Sequence, residues 1–233
     1  DFADIIYPDL IGYNDFVFVE HNEGLELSQY LGSSQAVDIP ISINGLNVVS
    51  IGDYAFYNTS IQSVSIPTSI KYIGKYAFSK SNLQAVPLHN GIRTLGEGAF
   101  DNCLSLSEVT ISSQTLLTEI KPITFRKTAI QSLFIPAGIT TIGDWAFAEV
   151  TSLETITIAT NSNLLSIGKY AFYDNSQLSY INLSAAQKIV SIGKAAFAHC
   201  QSLVSVYIPQ SLVTLGAYSF AYCSNLTSFN FMG

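Results

Sequence analysis

The sequence predicts a repeat solenoid of stacked parallel β-strands, and three observations predict it. An Ile-Gly-x-x-Ala-Phe anchor recurs eight times. A Leu-x-x-Val-x-Ile segment follows each anchor Phe by five or six residues. Units of 22 to 25 residues are too small to bury their own apolar faces, so they must stack into one continuous core.

The anchors read Ile51-Gly52 with Ala55-Phe56, Ile73-Gly74 with Ala77-Phe78, and Leu95-Gly96 with Ala99-Phe100. The fourth copy is degenerate, with Ile120-Lys121 and Thr124-Phe125. Ile142-Gly143, Ile167-Gly168, Ile192-Gly193 and Leu215-Gly216 lead to Phe147, Phe172, Phe197 and Phe220. Spacings between successive Phe residues are 22, 22, 25, 22, 25, 25 and 23, too regular for chance. In the second segment the last two apolar positions lie two apart, as in Val86 and Leu88 or Val206 and Ile208. That is one face of a strand. Copies of 22 residues mostly turn with Ile-Pro, whereas 25-residue copies insert a polar loop such as 112–115 at the same corner. The anchor Gly is expected to relieve crowding or to supply a positive φ. Lys121 shows that Gly is preferred there without being obligatory.

Residues 1–36 lack the repeat. Phe16 to Val19 reads as a strand, His21 to Gly24 as a turn and Leu25 to Leu27 as the return strand. This β-hairpin is expected to cap the first rung, with residues 37–233 forming one continuous solenoid of eight coils. Asp1 stands where a Met would begin a chain, and no charged segment followed by an apolar one is visible. The expectation is a mature chain whose leader or anchor has been removed, with Asp1 to Asn14 partly a linker. At the other end Phe229-Asn230-Phe231 forms the last strand with no polar cap after it, an expected site of self-association.

Composition excludes several partners. Only 12% of residues are charged, about half the usual fraction, and the net charge is −7. Ten scattered Lys and Arg cannot build a nucleic-acid groove or bind an anionic membrane surface. Mean hydropathy is +0.32, yet no apolar run approaches the roughly 18 residues of a spanning helix, so membrane insertion is not expected.

Few residues invite chemistry. Cys103, Cys200 and Cys223 each fall three residues after an anchor Phe, where a cysteine acts as a small buried hydrophobe. Cys200 and Cys223 belong to neighbouring coils, so a bond between them is conceivable. No ligand spacing for zinc accompanies them. His21, His89 and His199 occupy unrelated repeat positions, which argues against a catalytic triad. Neither an enzyme nor a cofactor is expected. Asp53, Lys75, Glu97, Asp144 and Lys169 follow the anchor Gly and should form a charge ladder across coils. Next to it, Tyr54, Tyr76, Trp145, Tyr170 and Tyr218 form an aromatic stripe, read as packing along the outer side.

The positions alternating with core residues of the strands should face solvent. Most are Ser, Thr or other small residues, but Phe134, Tyr180 and Tyr207 break that pattern. Exposed aromatics on such a face are candidate anchors for a partner, with cross-strand packing as the competing explanation. Glu108 is the sole charge among these positions, and Asn182 lies beside the aromatics. Phe134, Tyr180, Tyr207, Glu108 and Asn182 are therefore the candidate partner-binding residues. Asn58, Asn182 and Asn225 match a glycosylation sequon, read as incidental.

The anchor and strand motifs together resemble the BspA-like branch of the leucine-rich-repeat superfamily over about residues 37–231. The resemblance implies a leucine-rich-repeat solenoid of parallel strands joined by short helical turns. It also implies a secreted or surface-anchored bacterial protein and a non-enzymatic adhesion module. Its partner would be a protein or glycan, with host matrix proteins bound by some members. The competing expectation is a structural module that associates through its uncapped C-terminal coil.

Overall fold

The computed structural model describes residues 10–232. The chain opens with β1 (Ile11–Tyr13), β2 (Phe16–His21), β3 (Gly24–Tyr30), β4 (Ala36–Asp38), β5 (Ser42–Ile43) and β6 (Leu46–Ile51). Next come β7 (Ser63–Ser65), β8 (Tyr72–Ile73), β9 (Ala85–Leu88), β10 (Thr94–Leu95), β11 (Glu108–Ile111), β12 (Glu119–Ile120) and β13 (Ser132–Ile135). The series ends with β14 (Thr141–Ile142), β15 (Thr155–Ile158), β16 (Ser166–Ile167), β17 (Tyr180–Asn182), β18 (Ser191–Ile192), β19 (Ser205–Pro209), β20 (Thr214–Leu215) and β21 (Ser228–Met232). The even-numbered strands from β6 onward carry the anchor Ile or Leu. Odd-numbered strands from β7 onward, with β4, form the sheet face. Parallel pairing runs from coil to coil on both sides, with breaks between β7 and β9, between β11 and β13, and between β10 and β12.

The coil spacing begins at the anchor Gly. A Cβ built on Gly96, Gly193 or Gly216 would lie 2.3 to 2.5 Å from backbone atoms of the coil before it. Only a residue without a side chain lets the two backbones meet there. The Gly N–H then donates to the preceding coil's anchor carbonyl, as from Gly74 to Ile51 at 2.7 Å and from Gly193 to Ile167 at 2.8 Å. None of these anchor glycines has a positive φ. Relief of crowding is therefore their role.

Positive φ appears two residues later instead. Tyr54, Tyr76, Gly98, Ile123, Trp145, Tyr170, Ala195 and Tyr218 all have φ between 50° and 62°. A second left-handed position follows each Phe by two residues, from Asn58 (56°) to Tyr222 (61°). Left-handed residues at this interval break any helix, and no helix occurs among the described residues. The expected helical turns are thus turns of alternating handedness. Alternate N–H groups then point at the next coil: Tyr54 donates to Lys75, Phe56 to Ala77 and Asn58 to Ser79 at 2.7 to 2.9 Å.

This geometry stacks the eight anchor Phe rings at 4.9 to 5.3 Å with interplanar angles of 1° to 11°. Seven of the eight are fully buried, and Phe220 of the last coil is partly buried. The column continues beyond the anchor motif. Tyr30 lies 5.2 Å from Phe56, and β3 pairs parallel with β6 through Leu27 opposite Ile51. The return strand of the hairpin is therefore itself a rung. With it the anchor side has nine rungs, matched by nine strands on the sheet face (β4 and the odd-numbered strands from β7), against the eight coils expected. The sequence hides this rung because Leu27 and Tyr30 take the places of Ile and Phe without the Gly-x-x-Ala between them. The antiparallel β1–β2–β3 hairpin covers its outer side. Residues 1–9 of the expected linker lie outside the described residues.

Replacing Phe147 by Ala removes a central ring from the stack. The expected cost is about 3–5 kcal/mol, read as a lower urea midpoint with the folded circular-dichroism spectrum retained.

Candidate functional site

Strand alternation places the candidate residues. On the odd-numbered strands Val64, Val86, Leu133, Ile181 and Val206 are buried, and the residues beside them face out. Phe134 and Tyr180 are 38% and 41% exposed, enough to contact a partner without rearrangement. Tyr207 and Asn182 are half-buried, and Glu108 is exposed. The Tyr180 and Tyr207 rings meet at 5.6 Å and 60° on adjacent strands, and Asn182 lies opposite Tyr207 in the same ladder. Phe134 lies two strands from Tyr180, across β15, with Thr157 opposite it. Glu108 stands apart, on the separate two-stranded β9–β11 sheet.

Between Phe134 and the tyrosine pair the sheet opens. β13 and β15 pair through four residues, but β15 and β17 pair only at Thr155 and Tyr180. The cause is local. Asn182 Oδ1 accepts the Ser184 N–H at 2.9 Å, a side-chain turn that ends β17 early. The next N–H, of Leu183, donates to Tyr207 on the far side at 2.9 Å. The chain leaves β15 behind, and a groove of about 300 Å³ forms over Ile156 and Ile158, with Thr155, Thr157 and Ser184 along it. Both isoleucines are only partly buried. Under them lies an apolar void of about 10 Å³, at the lower limit for one water. The groove has an apolar floor, a hydroxyl and amide wall, Tyr180 along one side and no charged lining residue, with Tyr207 against Tyr180 and Phe134 opposite Thr157. Sequence reasoning treated Ile156 and Ile158 as core. Their exposure depends on Asn182, whose Asn-x-Ser context is the only signal for it.

The other singled-out groups are structural. Cys103, Cys200 and Cys223 are free thiols, and each donates to an anchor Phe carbonyl, of Phe78, Phe172 and Phe197, at 3.0 to 3.4 Å. Burial pushes the Cys103 thiol up to about 11, and burial also raises Cys200 and Cys223. His89 bonds the Pro67 carbonyl and the Gly91 N–H, each at 3.1 Å, while His199 stacks on Tyr222 at 4.5 Å. His21 lies 6.0 Å from Tyr72 in the hairpin, so the three histidines sit in separate environments. The charge ladder works differently from expectation. Asp53 and Asp144 accept the backbone N–H of Lys75 and Lys169 at 2.6 and 2.7 Å and form no ion pair with those lysines. The carboxylate thus ties coil to coil through the main chain. In the aromatic stripe Tyr54 stacks on Tyr76 and Trp145 on Tyr170, at 5.3 and 4.3 Å, as packing along the outer side requires.

Because a thiolate is the reactive form, native protein at pH 8 should leave Cys103 and Cys200 unlabelled by iodoacetamide over hours, with Cys223 labelled slowly. All three should react at once in urea. Mass spectrometry of the digested protein reads this, and rapid native labelling of Cys103 would contradict the burial described.

No curated protein matches the chain. Among solved structures, the T. pallidum Leucine Rich Repeat protein superposes with a TM-score of 0.64 at 24% identity, over 93% of this chain and 90% of that one. The pneumococcal vaccine antigen PcpA gives 0.61 at 14% identity, over 96% and 82%. At these identities the likeness establishes the fold alone. No helix among the described residues is long and apolar enough to cross a membrane. The BspA type Leucine rich repeat region matches in six copies over residues 49–163 and 118–233, which together span most of the chain. This protein belongs to the BspA-type leucine-rich-repeat family.

Proposed function

We propose that the chain is a non-enzymatic interaction module of the bacterial surface, docking a partner on its sheet face at the groove between β15 and β17. The observation that carries this reading is the groove itself, with Ile156 and Ile158 at its floor and Phe134, Tyr180 and Tyr207 around it. Partly exposed apolar floor and aromatic flanks are the composition of a binding hot spot. The lining carries no charge, so the partner presents an uncharged apolar or hydroxyl-rich feature, as a protein loop or a neutral glycan does. A rigid scaffold loses little entropy on docking. A surface location accords with family membership and with likeness to a pneumococcal vaccine antigen. A non-catalytic role accords with three histidines in separate environments and with thiols raised by burial. Residues 37–233 act in this reading as one continuous unit behind the hairpin.

The test is a screen of the purified chain against immobilised matrix proteins and neutral glycans by surface plasmon resonance. For any saturable hit, the triple variant Phe134→Ser, Tyr180→Ser, Tyr207→Ser should weaken binding by about 30-fold or more. Unchanged binding would remove the assignment.

A further inference from the structure

We infer that the junction between the Phe100 and Phe125 coils is a built-in seam, where the solenoid flexes and first comes apart. Every other anchor is tied to the coil before it by one recurring bond. Gly52, Gly74, Gly96, Gly143, Gly168, Gly193 and Gly216 each donate to the preceding anchor Leu or Ile carbonyl at 2.7 to 2.8 Å. Lys121 makes no such bond to Leu95. A neighbouring series of bonds fails at the same place. Lys71, Arg93, Thr140, Leu165, Val190 and Val213 each donate to the equivalent residue one coil earlier, but Thr118 does not donate to Arg93. Strand pairing shows the same gap. The anchor ladder stops at β10 and resumes at β12, and the sheet face stops at β11 and resumes at β13. Between β7 and β9 only the sheet face is interrupted, while β6, β8 and β10 remain paired.

Two residues cause the gap. Lys121 brings a Cβ to the position where, in Gly96 or Gly193, a Cβ would lie 2.3 to 2.5 Å from the previous backbone. The coil must stand off by enough to lose the bond. Pro122 follows it and has no N–H. It cannot donate as the Lys75 and Lys169 N–H groups do to Asp53 and Asp144. The junction is held on the turn side instead, and by the Ala129 N–H, which donates to the Leu106 carbonyl at 2.9 Å. Gly98, Phe100 and Asn102 donate to Pro122, Thr124 and Arg126 at 2.9 to 3.1 Å, and the Phe100 and Phe125 rings stack at 5.3 Å. Arg126 clasps Asp101 across the junction with two bonds, Nε to Oδ1 at 2.8 Å and Nη2 to Oδ2 at 3.1 Å. The Asp101 side chain is only 7% exposed, and Asn102 Nδ2 also donates to it at 2.8 Å. Burying a charge is costly unless it is paired and hydrogen-bonded in this way. The two arms therefore hinge on one edge, and opening separates Glu108 and Thr110 from Ser132 and Phe134 on the sheet face.

The experiment is hydrogen exchange of the full chain by mass spectrometry at neutral pH, with urea unfolding alongside. Amides of 118–121 and 132–135 should exchange at least about tenfold faster than the matching amides of 165–168 and 205–208, which are paired on both sides. The double variant Lys121→Gly, Pro122→Lys introduces the Gly-Lys found at Gly74-Lys75, Gly168-Lys169 and Gly193-Lys194. It should bring the junction within about threefold of its neighbours and raise the urea midpoint. Arg126→Met should widen the difference. Equal protection at the junction in the unmodified chain would overturn the inference, as would a folded double variant that exchanges as the parent does. If the double variant fails to fold, the parent profile and Arg126→Met still decide the matter.

Discussion

The structure depends on one contact, the approach of main chain to main chain at the anchor glycine. With no Cβ in the way, the Gly N–H reaches the preceding carbonyl at 2.7 to 2.8 Å. That distance sets the rise per coil, and the rise sets everything stacked upon it. The Phe rings at 4.9 to 5.3 Å, the paired strands and the Asp-to-main-chain ties share the same step. The arrangement has a local cost. Each coil places two residues in the left-handed region, most of them not glycine, at about 1 kcal/mol or more apiece. Main-chain bonds to the next coil and burial of the Phe column offset it.

Much of this was legible in the residues. The recurring Ile-Gly-x-x-Ala-Phe marked the coils, and the two-residue alternation separated core from face in most strands, with β15 and β21 as exceptions. What stayed hidden depended on packing. Tyr54, Ile123, Trp145 and Ala195 are poor left-handed residues by propensity, so the position two past the Gly gave no signal. Stacking, rather than local preference, holds them there. The first rung was hidden because Leu27 and Tyr30 match the shape of the motif without its letters. Lys121 was visible as a departure, but its consequence needed the distance a Cβ would meet.

The candidate site was legible only in part. Phe134, Tyr180 and Tyr207 stood out because neighbouring coils place Ser or Thr at most matching positions. The groove they flank did not, because it arises from one side-chain turn at Asn182 that draws β17 toward β19. In a regular stack each coil presents nearly the same face. Departures from regularity are therefore where a repeat protein acquires individual features. Here three departures lie on one sheet face, the groove, the junction at Lys121 and the break between β7 and β9.

The most direct test of the central contact is Gly193→Ala. The φ of Gly193 is not positive, so Ala meets no left-handed penalty there and restricts the unfolded chain. Its only burden is the methyl group, 2.5 Å from the Gly168 carbonyl carbon and the Lys169 nitrogen. Urea unfolding should show a loss of about 3 kcal/mol, with amide protection of 191–193 reduced. A variant as stable as the parent would contradict the account, since the coils would then be held by something other than this approach.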